Sequence, residues 1–162
     1  MTFRSTSTRL AGVALVLAAV ACQPKPAVVD PADPTIVATI DSLMVVGFTG
    51  AAAANAEQAL SITTQDSSFT FLTGDLMLTG YDRVLPAFKE TYGGLKSQHT
   101  EAFQKRIRVL TPDVAVFSAV GEGSYTDKAN FTSPPVGMGS TVIFVKRDGV
   151  WRAVHFHQSI AK

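Results

Sequence analysis

The chain has 162 residues, 46% of them hydrophobic, with 14 Lys and Arg against 13 Asp and Glu and a single cysteine. That is the length of one domain. The near-balance of charge excludes a nucleic-acid binder, which needs a basic face, and the lone cysteine excludes an internal disulfide and a thiolate metal site.

Residues 1–21 read as a signal peptide. Arg4 and Arg9 lie among Ser and Thr, and the uncharged run Leu10–Ala21 is too short to span a bilayer as a mature helix. It ends at Ala19-Val20-Ala21-Cys22. Small residues before a lone cysteine, placed straight after such a run, predict cleavage before Cys22 and attachment of a diacylglycerol to its thiol. Ala19 stands where leucine is more usual, and plain secretion is the alternative. Two or three acyl chains anchor stably where one is marginal. The expected location is therefore the cell envelope, lipid-anchored on its periplasmic or cell-surface side. Residues 22–34, with Pro24, Pro26, Pro31 and Pro34, read as an extended tether, and residues 35–162 as the domain.

In the domain, Ile36, Val37, Ile40, Leu43, Met44 and Val46–Phe48 recur at helical spacing, and Ala51–Leu60 continues with strong helix formers. Gly47 and Gly50 predict a break or kink between two helical pieces. From Asp66 the period changes to two. Ser68–Leu72 and Leu76–Thr79 are short strands joined by a Thr73-Gly74-Asp75 turn. A helix over about Asp82–Tyr92 follows, with Val84, Leu85 and Phe88 on one face, Pro86 near its start and Gly93-Gly94 at its end. Strands are then expected near Lys96–Leu110, Val114–Tyr125, Val136–Lys146 and Val150–Ile160. Helices first and a long-stranded meander last predict an α+β domain, its helices on one face of a bent antiparallel sheet with a small-ligand pocket between.

The closing strand carries two histidines. Strict alternation puts Trp151, Ala153, His155, His157 and Ser159 on one face and Arg152, Val154, Phe156 and Gln158 on the other. His155 and His157 could share a metal, but a third ligand is needed and His99 is the only other histidine. The favoured reading is a neutral, hydrogen-bonded pair on a sheet face covered by a second subunit. No metal and no cofactor is expected.

Helix-first order, Asp66 entering the first short strand, Gly80 before the third helix, and the ending Arg147-Asp148-Gly149-Val150-Trp151 through Ser159 resemble the nuclear transport factor 2-like superfamily. Within it the chain is most similar to SnoaL-like domains and to the calcium/calmodulin-dependent protein kinase II association domain. The resemblance, over about residues 35–161, implies a cone of helices wrapped by a curved sheet, a pocket inside the cone, and dimerisation through the outer sheet face. It also implies that Phe156 and Gln158 face the pocket, while Trp151, His155 and His157 lie on the dimer face. In the kinase association domains the position of Gln158 holds a pocket arginine, and a second falls near Val142; both are neutral here, which argues against an anion site.

The isomerases of this superfamily need a carboxylate base near Phe71, where none occurs. No catalytic residue is assigned. Asp66 reads as a strand-entry residue, and His99 with Glu101 is the remaining acid–base pair. The expected pocket is apolar, with Gln158, Phe156, Glu122, Ser140, Tyr125 and His99 around it and a small molecule as partner. The functional expectation is a lipid-anchored, dimeric, noncatalytic binding domain. The alternatives are a small isomerase or hydrolase, and a structural dimerisation module whose cone is filled by Phe69, Phe71, Phe88, Phe103 and Phe156.

Overall fold

The computed structural model describes residues 30–161; the expected signal peptide, Cys22 and most of the tether lie outside the described residues. The first helix, α1, spans Pro34–Ala52. Asp33 caps it, its Oδ1 accepting from the amides of Thr35 (2.9 Å) and Ile36 (3.2 Å), with Pro34 in the first turn. By length and composition α1 could cross a membrane, with a mean hydropathy of 1.6. Here its stripe Ile40–Met44 packs into the main core instead.

The expected break at the glycines does not occur. Gly47 and Gly50 are buried within α1, where a Cβ on Gly47 would lie 2.8 Å from Ile62 Cδ1 and one on Gly50 would strike the Ala59 backbone. They are contact points for the following segment. The chain turns at Ala53–Asn55 instead, Ala54 taking φ 50°. Helix α2, Ala56–Leu60, is capped by Asn55.

Strands β1 (Thr70–Thr73) and β2 (Leu76–Thr79) form a hairpin turning at Gly74, φ 58°. Helix α3 spans Tyr81–Gly93. It is followed by β3 (Leu95–Thr111), β4 (Val114–Asp127), β5 (Val136–Arg147) and β6 (Val150–Ile160), each antiparallel to the next.

The α+β class is present, but the sheet differs from the antiparallel, cone-forming one expected. Its order is β2-β1-β6-β5-β4-β3, and β1 runs parallel to β6, so it is mixed. Strands β2 and β3 are its two edges and do not pair, leaving an open sheet that is not curled into a cone. The hairpin strands have four residues each against 17 in β3, too short a ladder to carry the sheet round.

Irregularities in the register decide which way side chains point. On β6, His155 pairs with Ile143 but Ala153 with Phe144, so Val154 has no partner and forms a bulge. The bulge reverses alternation: Trp151 and Ala153 are buried in the core, Arg152 is exposed, and Phe156 packs against both core clusters. At the bulge the neighbour of β6 also changes, from β1 to Ile62–Thr64, which brackets Ala153 with two backbone hydrogen bonds of 2.9 Å. On β3 a second shift between Ala102 and Gln104 throws Phe103 out, 61% exposed.

One core cluster joins α1 to the sheet through Ile40, Met44, Phe117, Val142, Phe144 and Trp151. The other joins α2, α3 and the hairpin through Leu60, Phe69, Phe71 and Val84. Each such side chain fully buried contributes about 1.5–3 kcal/mol. Among the described residues, both clusters and the side chains packed on them lie between Ile36 and Phe156, so residues 30–161 hold a core of their own.

Candidate functional site

The two clusters do not close on each other completely. Between them, under the helices, lies a cavity of ≈ 130 Å³, far more than one water needs. From α1 it is lined by Met44, Gly47, Phe48 and Ala51, and from α2 and its exit by Ala59, Leu60, Ile62 and Thr63. Phe88 and Tyr92, one turn apart on α3, form another wall. The sheet supplies Gln98 and Thr100–Ala102 from β3, Ala119–Gly121 from β4, Met138, Ser140 and Val142 from β5, and Ala153, Phe156 and Gln158 from β6.

Aromatic rings shape this space. Phe71 stacks on Phe156 at 5.7 Å between centroids and meets Phe88 edge-on at 4.9 Å, while Phe88 tilts against Tyr92 at 5.5 Å. Phe69 and Phe71 are buried, and Phe103 is on the opposite side of the sheet from the helices, in a shallow depression with Arg106, Val120, Thr141 and His157. The five phenylalanines therefore do not fill the cavity.

Its polar groups are neutral with one exception. Ser140 and Gln158 are direct cross-strand partners on β5 and β6. The side chain of Gln98 donates to the Ala51 carbonyl at 3.0 Å and hydrogen-bonds Tyr92. Burial pushes the Tyr92 phenol above its ordinary pKa, partly offset by that bond. Thr63 Oγ1 is taken by the Leu60 carbonyl at 2.8 Å. Glu101, the one acidic residue among the described residues of the lining, is exposed and pairs with Glu122 across β3 and β4.

Of the residues expected around the pocket, Gln158, Phe156 and Ser140 line the cavity, whereas Glu122, Tyr125 and His99 do not. Glu122 pairs with Glu101 across β3 and β4, and its neighbours Gly121 and Gly123 alternate against it, so its side chain leaves on the other face. His99 alternates away from Gln98 and Thr100 in the same way. Tyr125 is 42% exposed and lies beside the Ser133 loop, whose hydroxyl accepts from its amide. His99 and Glu101, two apart on β3, share that other face with Glu122, and of the three only Glu101 touches the lining.

The residues placed on the dimer face separate too. His157 lines the outer depression and His155 shares its side of β6, but Trp151 is 7% exposed in the core. Among the described residues no three His, Cys, Asp or Glu cluster as a metal site. Asp66 is a strand-entry residue: its carboxylate accepts from Thr64 Oγ1 (2.7 Å) and from the Ser68 amide (2.7 Å) and hydroxyl (2.5 Å). Those bonds, with a distant Arg147, hold its pKa at about 2.

Sequence reasoning missed Tyr92 and Gln98. Tyr92 extends the apolar face of α3 by one turn from Phe88, a signal that was present; its contact with Gln98 joins two elements and left none.

The model of the calcium/calmodulin dependent protein kinase II association domain matches residues 52–162. The chain belongs to that family. Solved structures agree on the fold. A nuclear transport factor 2-like superfamily protein from Salmonella enterica serovar Typhimurium superposes with a TM-score of 0.71 at 16% identity, covering 79% of this chain and 93% of that one. An uncharacterised protein with a cystatin-like fold from Caulobacter vibrioides gives 0.66 at 21%, covering 78% and 89%. The hexachlorocyclohexane dehydrochlorinase LinA-type3 from Novosphingobium barchaimii gives 0.66 at 14%, covering 79% and 88%. At these identities the likeness is one of fold, which enzymes and other proteins share. No curated protein matches the chain.

Proposed function

We propose that this protein is a noncatalytic small-molecule-binding domain, dimeric and held in the cell envelope by a lipid on Cys22. The observation that carries the reading is the cavity: an apolar, aromatic-lined space with a few neutral polar groups converging on it, which is the usual make-up of a ligand site. A catalytic role finds less support, since His99 stands outside the lining and Asp66 spends its oxygens on the turn that enters β1. Dimerisation through the outer sheet face is supported by the exposed Phe103 and Val120 beside His157. The lipid anchor and the location outside the cytoplasm rest on the run Leu10–Ala21 and on Cys22.

The test is saturation-transfer NMR on the domain of residues 30–162, with toluene as an apolar guest, before and after Ser140→Phe. Toluene is expected to bind the parent and to lose at least about tenfold in affinity when the phenyl group fills the cavity. A parent domain that takes up no toluene would sink the binding reading.

A further inference from the structure

The lining of the cavity is selective in its charge. Among the described residues it includes no Lys, Arg or His, and its one acidic residue, Glu101, is exposed. Lys105, further along β3, is held by Asp41 of α1 at 2.6 Å. An anion placed inside would exchange water for aromatic rings and neutral dipoles with no counter-charge, which is strongly unfavourable. A buried cation would find ring faces but no carboxylate deep in the cavity.

The neutral polar groups are unequally engaged. Gln98 and Thr63 are committed to protein carbonyls. Ser140 and Gln158 are not so tied down; they are half-buried, sit directly opposite each other and point the same way. Their Cβ atoms, as cross-strand partners, are about 5 Å apart. Together they present an amide N–H pair, an amide carbonyl and a hydroxyl, enough to satisfy a donor and an acceptor on one guest.

We propose that the ligand is an uncharged molecule with an apolar, ring-sized body and an amide-like head that both donates and accepts, seated between Ser140 and Gln158. This deepens the binding reading above and depends on it. Discrimination would come from the wall itself: a charged head cannot be paired there, and a headless guest leaves the two side chains without partners.

A matched series separates the cases, again by saturation-transfer NMR on residues 30–162. The probes are 2-phenylacetamide, phenylacetate and 2-phenylethylamine, with toluene as the headless control. The amide is expected to bind at least about tenfold more tightly than the carboxylate or the amine. Gln158→Leu should cost 2-phenylacetamide at least about tenfold more in affinity than it costs toluene, because only the amide loses a hydrogen-bond partner. Equal or tighter binding of phenylacetate or 2-phenylethylamine to the parent would overturn the proposal, as would equal losses for 2-phenylacetamide and toluene in Gln158→Leu. If toluene itself does not bind, the binding reading fails first, and the two failures are told apart.

Discussion

Trp151 and Phe156 both point toward the helices from β6 although their spacing is odd, because Val154 is an unpaired bulge residue between them. In a regular strand residues five apart face opposite ways. The bulge lets β6 bury a tryptophan at one end and still offer Phe156 and Gln158 to the cavity at the other.

The bulge makes a prediction that regular alternation reverses. Trp151→Ala should cost about 3–5 kcal/mol, the range for emptying a core position of an aromatic side chain. Arg152→Ala, at an exposed position, should stay within about 0.5 kcal/mol. Urea unfolding followed by circular dichroism measures both. A destabilised Arg152→Ala beside an unaffected Trp151→Ala would restore the alternating assignment.

Gly50 and Gly93 both lie in helices yet differ in their surroundings. A Cβ at Gly50 would strike the backbone of Ala59, whereas one at Gly93 meets nothing within 4 Å. Gly50→Ala should therefore destabilise by about 1–3 kcal/mol through overpacking. Gly93→Ala should be neutral or stabilising by up to about 1 kcal/mol. Thermal denaturation of the two variants ranks them directly.

Asp66 gives the domain an acid sensitivity whose sign is fixed. Its pKa is lowered from 3.8 to about 2 by the Ser68 hydroxyl, then Thr64, then the Ser68 amide, with desolvation opposing and Arg147 adding least. Folding thus favours the ionised form, so this stabilisation is present above pH 3.8 and is lost as the pH falls toward 2. Asp66→Asn should flatten the stability–pH profile in that window and leave its shape at neutral pH unchanged. An identical acid limb in the variant would show that the turn is not the responsible group.

The anchor and the assembly can be tested in the full chain and in the domain respectively. Cys22→Ser is expected to move the protein from the membrane to the soluble fraction; continued membrane retention would count against lipidation. Sedimentation of residues 30–162 should show His155→Asp weakening the dimer while Gln158→Ala leaves it intact, since His155 shares the outer side of β6 with His157 and Gln158 faces the cavity.

Local pattern made the elements legible. The long strands came from their alternation, α3 from its Val84–Leu85–Phe88 face and the Gly93-Gly94 stop, and the hairpin from Gly74 between two short runs. What pattern could not show is pairing between distant segments. The parallel contact of β1 with β6 joins Thr70 to His155, and nothing near either residue encodes it. Bulges were equally hidden: Val154 and Phe103 read as ordinary strand residues, and each reverses the facing of its neighbours. Gly47 and Gly50 illustrate a different limit, since a glycine in a helical run can mark a break or a close approach, and only the position of Ala59 decides. For the cavity, Ser140, Phe156 and Gln158 came from alternation beside the family resemblance. Glu122 and His99 fell on the far face because alternation alone sets no absolute phase for β3 and β4.

The contact between β1 and β6 also governs the order in which this domain can be made. A short isolated hairpin is marginal in water, and β1–β2 has its partner strand only when β6 has been synthesised. The meander β3–β5 can form from neighbouring segments, but the hairpin side of the cavity must wait for β6. A ribosome-bound nascent chain halted before Val150 would therefore hold a partial sheet and no complete cavity, and joining β1 to β6 is a long loop closure of the slow, high-contact-order kind.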